Sequence, residues 1–450
     1  MKIVIVGMGK VGTTLVENFA EENHDLVAID VNMKSVDKIV NRFDVRGLVG
    51  SGCEREVLID AEVDKTDFFV ACTSRDELNI ICCILAKKLG AKHTVARVRD
   101  PEYFREMDNI KDVLGLDLAF NPEYRTAYEI ANVLHFPSAN SVETFSSTNV
   151  RMVEFEITEG NPIIGKSVMD IVKEYQCKLL FAVVKRGESV FIPRGDFVIS
   201  QDDIVHIFAS ESEIAKFSKK LHIFKPRAKS VFIVGGGKIA YYLASLLIGK
   251  GFSVKILEKD QARCKELSET LPAATILCGD GTDQNVLKEE DLDNADACVT
   301  LTGVDEENVI ISLYATQQNL GKVITKVDRH AIIKMVGSIG LDTVLCPRDI
   351  IANHIIRFVR AHQGDSDAGI NTYYKIHGQV EVLEFTVTNS FSETGKTLRE
   401  LLLKDGILIG GVIRKGEFIL PGGDTSFLMG DKVLVVTAQK QITDLTQILR

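Results

Sequence analysis

Gly7, Gly9 and Gly12 fall in the spacing GxGxxG directly after the apolar run IVIV, and a helical pattern follows them. In that context each glycine has a task. Gly7 permits a tight turn, Gly9 lets a pyrophosphate approach the backbone, and Gly12 lets helix and strand pack closely. The N–H groups of Met8, Gly9, Lys10 and Val11 then point at the ligand from the positive end of a helix macrodipole. Asp30 ends the next apolar run, the place where a carboxylate accepts hydrogen bonds from ribose hydroxyls. A carboxylate there repels a 2′-phosphate, so NAD(H) or another unphosphorylated adenosine nucleotide is expected rather than NADP(H).

The same constellation occurs again. VGGGKIA supplies Gly235, Gly236, Gly237, Lys238 and Ile239, with Ala240 in place of the third glycine and Glu258 as the acid. Thr73 with Ser74, and Leu301 with Thr302, follow apolar runs whose carboxyl ends border the ligand crevice in such sheets. A helix cap ahead of DELN or DEEN is an equally good reading of these hydroxyls. Arg97 and Lys326 end a later strand-like run, where a phosphate, an inter-subunit carboxylate and plain solvent are the alternatives.

Catalytic chemistry finds little support. A dehydrogenase needs a proton relay beside the nicotinamide, commonly from a second domain. His206 lies in an alternating strand and its counterpart is Leu434; His354 and His362 share a helical run with Arg357 and Arg360, but Glu129 stands where His354 would repeat. Neither a nucleophile elbow, nor a Walker A lysine loop, nor HExxH is present. No catalytic residue and no metal site is therefore expected.

These residues are carried by a repeated framework. Residues 2 to 221 lie over 230 to 450 with little drift in register. LVAID corresponds to VKILE, DFFVACTSRDELN to DACVTLTGVDEEN, and GLDLAFNPE to GLDTVLCPR. Strands alternating with helices indicate a Rossmann-like, doubly wound parallel sheet in each half. From about residue 140 and again from about 365, short alternating strands take over, each set with one helical segment after a glycine-lysine pair, GKSVMDIVKEY or GKTLRELLLKD. That pattern reads as a small α+β module. The expected units are 1–138, 139–224, 229–364 and 370–450, with linkers FKPRAKS (224–230) and QGDSDAGIN (363–371).

A chain of 450 residues is too long for one core, and its 45% apolar content suffices for several. The net charge of -10, without a basic stripe interleaved with aromatics, argues against nucleic acid as a partner. The nine cysteines lack CxxC or Cys/His ligand spacing and read as buried thiols of a reducing cytosol. IICCILA and the other apolar runs are too short to cross a bilayer, so no transmembrane segment is expected.

GMGKVG, LVAID, ACTSRDELN, VARVRDPEY and GLDLAFNPEYRTA, followed by a strand-rich unit with GKSV and IPRGDFVISQDD, resemble an RCK domain, also called KTN. Two such N- plus C-modules in tandem resemble the regulatory subunits of Trk-type potassium uptake systems. The resemblance implies a non-enzymatic regulator that binds NAD(H), with ATP or ADP as further candidates. It would dock, peripherally and from the cytoplasmic side of the cell inner membrane, on a membrane-embedded potassium-translocating subunit of the Trk type. It also implies site residues: Gly7 to Val11, Asp30, Ser51, Gly52, Thr73, Ser74 and Arg97 in one half, Gly235 to Ile239, Glu258, Asp280, Gly281, Thr302 and Lys326 in the other.

The two halves depart from each other at three places. Ser51 replaces the acid of the Gly279-Asp280 pair, Ala240 replaces Gly12, and Arg348 replaces Glu123. The helices after Asn121-Pro122 and Cys346-Pro347 would be the crossover helices through which units pair, their apolar faces being intramolecular core on the other reading. A homo-oligomer is expected, four chains closing a ring of eight units. The alternative from the enzyme class is an NAD-dependent oxidoreductase with a duplicated Rossmann domain.

Overall fold

A computed structural model describes the chain except residues 23, 137, 146–149, 224–227, 337–339, 342, 363–369, 377–378 and 440–441. The first sheet holds six parallel strands, β1 (Lys2–Val6), β2 (Asp25–Asp30), β3 (Arg46–Val49), β4 (Phe68–Ala71), β5 (His93–Arg97) and β6 (Leu118–Phe120). Their spatial order is β3-β2-β1-β4-β5-β6. Helices α1 (Lys10–Glu21), α2 (Met33–Val40), α3 (Arg55–Asp60), α4 (Asp76–Leu89) and α5 (Pro101–Leu114) connect them, and α6 (Pro122–His135) follows. The central strands β1 and β4 are near-continuous apolar runs because both faces are covered, as in IVIV and FVA. Strand order reverses between β1 and β4, and the first glycine loop lies at the carboxyl end of β1, at that switch point.

A five-stranded antiparallel sheet comes next: β7 (Ser141–Thr144), β8 (Val150–Glu156), β9 (Leu179–Arg186), β10 (Ser189–Phe191) and β11 (Ile204–Ser210), with α7 (Val168–Tyr175) and α8 (Glu211–Lys220). The second half repeats the parallel sheet as β12 (Ser230–Val234), β13 (Ser253–Glu258), β14 (Thr275–Cys278), β15 (Ala297–Thr300), β16 (Lys322–Lys326) and β17 (Thr343–Leu345). Its helices are α9 (Lys238–Gly249), α10 (Gln261–Thr270), α11 (Gln284–Glu289), α12 (Asp305–Gln317), α13 (His330–Val336) and α14 (Pro347–Ala361). A second antiparallel sheet ends the fold: β18 (Ile370–Ile376), β19 (Val380–Thr386), β20 (Ile407–Arg414), β21 (Glu417–Ile419) and β22 (Lys432–Thr437).

Three expectations need correction. The first small unit holds α8 besides the single helical segment expected there. Most of both linkers, 224–227 and 363–369, lies outside the described residues, but Ser230 already opens β12 and Ile370 opens β18. The segment GKTLRELLLKD forms turns rather than the expected helix. Its counterpart α7 is started by Ser167, whose side chain caps Asp170 N–H. In the second half Thr397 donates to the Glu400 carboxylate as Ser167 does to Asp170. Beyond that single turn the backbone pairs elsewhere: Lys404 N–H donates to Ile448 O, and Leu402 O accepts from Arg450 N–H. Backbone groups bonded to the distant C-terminal residues cannot also close a helical ladder.

The crossover helices exchange partners between halves. α6 buries Ala127, Ile130, Ala131 and Leu134 in one cluster with Leu243, Ala244 and Leu247 of α9. α14 buries Ile351, Ile355 and Val359 with Leu15, Val16 and Phe19 of α1. Both readings of these faces are thus met at once, since they are core and they join the two units. Polar contacts follow the same route: Asn121 donates to the Tyr242 hydroxyl at 2.9 Å, and Lys10 pairs with Asp328 at 3.0 Å. The small sheets also pack on each other, with Phe145, Ala182 and Phe208 against Tyr374, Val382 and Val436.

Ile355 is fully buried in the exchanged contact, so Ile355→Ala should cost about 2–5 kcal/mol. Urea unfolding followed by one probe in each half should shift for both probes together. Burial pushes the Glu154 carboxyl up to about 7 from 4.5. The folded state then keeps a proton that the unfolded chain releases, so this group costs stability as pH rises through that window. Glu154→Gln should therefore gain stability over the parent at pH 8 and not at pH 4, read from urea midpoints.

Candidate functional site

Both glycine loops are shaped by their first residue. Gly7 and Gly235 have φ of 95° and 98°, a region other residues avoid, and a Cβ on Gly7 would lie 2.8 Å from Thr73 N. Gly9 and Gly237 begin α1 and α9, and a Cβ on either would meet nothing within 4 Å. Their α-carbons face open space, as close approach of a pyrophosphate requires. The residues present fit a dinucleotide at this point.

The acids do more than wait for a ribose. Asp30 Oδ2 accepts from Met8 N–H at 2.6 Å and Oδ1 from Asn32 N–H at 2.8 Å. Glu258 repeats this with Gly236 N–H at 2.6 Å and Asp260 N–H at 2.8 Å. The expected cradle of Met8 to Val11 therefore shrinks at its first member, whose N–H is already given to the acid. The first-turn amides of Lys10, Val11 and Gly12, like those of Lys238 and Ile239, have no acceptor within their own helix, which leaves them available to an anion. Arg263, absent from the sequence-derived set, donates to Gly236 O at 2.7 Å and braces the second loop from α10.

Gly52 and Gly281 leave no room for a side chain. A Cβ on Gly52 would lie 2.6 Å from Val6, and one on Gly281 would lie 2.3 Å from Val234. Ser51 accepts from Cys53 N–H, while exposed Asp280 accepts from Thr282 N–H and hydroxyl. Those two bonds hold the Asp280 carboxyl below its usual range, so it is an anion at the mouth of the second cleft.

At the carboxyl ends of β4 and β15 a pair of buried asparagines organises what the sequence left undecided. Asn79 accepts from Thr73 N–H at 2.8 Å and donates to Arg97 O at 2.9 Å. Asn308 does the same for Thr302 at 2.8 Å and for Lys326 O at 3.0 Å. Arg97 donates to Thr73 O, and Lys326 to Thr302 O at 2.8 Å. Neither cation is a solvated rim charge. Desolvation holds the Arg97 pKa below its ordinary value, and its Nε has no hydrogen-bond partner among the described residues. Ser74 stays exposed, and Thr73 caps Arg75 N–H at 3.3 Å, so the capping reading holds for that hydroxyl in part. A polar residue in DELN and in DEEN at matching positions was the available signal for Asn79 and Asn308.

The second cleft is a composite. Its volume is about 470 Å³, and its walls include Gly235 to Ile239, Glu258, Asp280, Gly281, Thr302 and Lys326 together with Arg99 and Glu123 of the first half. That volume lies within the range of small-molecule sites. Arg99 Nε donates to Glu123 at 2.7 Å, fixing both on the rim. A neighbouring cavity of about 320 Å³ lies between the halves, lined by Lys10, Val11, Arg97 and Glu123 on one side and Ile239, Lys326, Asp328 and Arg348 on the other. His354 is on the α14 face and lines neither; burial pushes its pKa down to about 3. No helix among the described residues is long and apolar enough to cross a membrane.

This arrangement defines a class, a duplicated pair of a nucleotide-type α/β unit and a small sheet unit. The TrkA-N domain family matches residues 3–122 and 231–347, and the TrkA-C domain family matches 152–222 and 382–450. The chain is 33% identical over 450 residues, 100% of both chains, to the Trk system potassium uptake protein TrkA homolog of Archaeoglobus fulgidus. It belongs to the TrkA family of Trk system potassium uptake proteins. Its fold is similar to that of the GsuK channel bound to NAD, at TM-score 0.64 and 17% identity over 98% of this chain and 77% of that one. GsuK bound to ADP aligns at TM-score 0.50 and 14% identity over 80% of this chain and 69% of that one.

The third loop position separates the halves by a measurable amount. A Cβ on Gly12 would lie 2.0 Å from Gly7 O, whereas Ala240 is accommodated. Gly12→Ala should cost more than about 2 kcal/mol of stability, and Ala240→Gly about 1 kcal/mol, both read from urea midpoints.

Proposed function

We propose that this chain is a non-enzymatic regulatory subunit that senses NAD(H), with ATP or ADP as competing ligands, and gates a membrane-embedded potassium-translocating subunit of the Trk type. On this reading the units are 1–138, 139–224, 229–364 and 370–450, and four chains close a ring of eight units on the cytoplasmic face of the inner membrane. The ligand contacts are the loop residues Gly7 to Val11 and Gly235 to Ile239, the acids Asp30 and Glu258, and Ser51, Gly52, Thr73, Ser74 and Arg97 with Asp280, Gly281, Thr302 and Lys326.

The observation that carries the proposal is the composite wall of the second cleft. A nucleotide there touches Arg99 and Glu123 of the other half as well as its own loop, so occupancy and the angle between halves are one equilibrium. Gating requires only that the ligand prefer one angle, and a coupling of about 1–3 kcal/mol changes affinity some 5- to 150-fold. The relative from Archaeoglobus fulgidus, matched over its full length, is a Trk system potassium uptake protein homolog, and the GsuK structures of similar fold are bound to NAD and to ADP.

Calorimetry with NADH should show that Asp30→Ala weakens one site, Glu258→Ala the other, and Arg99→Ala only the Glu258 site although it lies in the opposite half. Liposomes holding the captured potassium-translocating subunit should change potassium flux when the nucleotide is added with this chain. NADH turnover on a panel of carbonyl substrates, or flux blind to nucleotide, would overturn the proposal.

A further inference from the structure

Away from the nucleotide clefts, the junction of α13 and α14 gathers three side chains of different chemistry. His330 opens α13, Cys346 is the N-cap of α14, and Asp349 lies in that helix's first turn. The spacing of Cys346 and Asp349 places the carboxylate back over the thiol, since residues three apart on a helix share a face. The Nε2 atom of His330 is 3.3 Å from Asp349 Oδ1, and one donor atom from each of the three residues lies within 4.8 Å of the others. Cys346 is buried, whereas His330 and Asp349 are exposed to solvent by about half. A thiol therefore forms the floor of a site whose two other donors line an open mouth.

We propose that His330, Cys346 and Asp349 form a binding site for a divalent transition metal of the zinc type, with the fourth position left to water or an exogenous anion. The donor set decides the class of metal. Calcium and magnesium require oxygen ligands throughout, whereas imidazole, thiolate and carboxylate together suit zinc and its spectroscopic substitute cobalt. Bond lengths of about 2.0–2.3 Å imply donor separations of about 3.3–3.8 Å in a tetrahedral site, so the existing cluster needs only a small contraction. Zinc binding replaces the proton on Cys346 by a zinc–sulfur bond and releases that proton to solvent, with His330 neutral and Asp349 ionised. Affinity should accordingly rise with pH.

The repeat supplies an internal control. The matching positions of the first half are Pro101, Asn121 and Tyr124, which offer no such donors, so one metal per chain is expected from a duplicated fold. Spacing along the sequence does not show the site, because His330 and Cys346 belong to different helices and meet only when α13 and α14 start side by side. Pro347 and Arg348, held between two of the ligands, line the cavity between the halves. A metal would thus pin the root of the exchanged helix α14 to α13.

The test uses the full chain, stripped with chelator and titrated with cobalt and with zinc. Cobalt should give one saturable equivalent with a sulfur-to-cobalt charge-transfer band and the visible bands of a four-coordinate ion, and zinc should displace it while magnesium and calcium should not. Cys346→Ser should abolish the charge-transfer band, and His330→Ala should weaken zinc binding by more than about tenfold, the loss already caused by removing mere supporting partners of metal ligands. His330 is exposed, so its variant decides the matter if Cys346→Ser fails to fold. Absence of saturable binding, or a band and affinity unchanged in both variants, would overturn the proposal.

Discussion

A parallel sheet flanked by connecting helices must be covered on both faces, and neither parallel sheet of this chain completes that cover from its own half. α6 leaves the first half to pack on α9, and α14 leaves the second to pack on α1. Everything else in the architecture rests on this exchange. It sets the two glycine loops beside one cavity, brings Arg99 and Glu123 to the rim of a cleft they do not belong to, and leaves the small sheets face to face. Separating the halves would expose two apolar helix faces at once.

The exchange also shows where sequence reading reaches its limit. The apolar stripe of α14 is plain from its spacing, and so is its start after Cys346-Pro347. Periodicity reports that a face is buried, but not which sheet lies beneath it. The second small unit shows the same limit from the backbone side. GKTLRELLLKD has helical spacing, yet its peptide groups are taken by residues at the end of the chain, a competition that no local window contains.

Within the site, the glycines and acids were legible because each answers a local geometric demand. Gly7 and Gly235 need positive φ, and Asp30 and Glu258 must stand one strand away from the loop. Asn79 and Asn308 were not legible, since a polar residue in a helical pattern reads as solvated surface until the fold buries it. Arg97 and Lys326 were placed correctly at strand ends, but their inward engagement with Thr73 and Thr302 depends on a neighbouring strand's carbonyl. The self-similarity of the halves was the strongest signal, because the duplication repeats loops, acids and asparagines alike.

The bond from Met8 N–H to Asp30, mirrored by Gly236 and Glu258, has a kinetic consequence. Each loop is held in its binding shape by the carboxylate that a ribose would share, so the ordering entropy of the loop is spent during folding and not on encounter. Under the proposed function, ligand arrival would then be an exchange of hydrogen-bond partners in a preformed cradle. On the reading proposed above, such a loop would fill and empty as nucleotide levels change, without waiting for a segment to fold around each molecule.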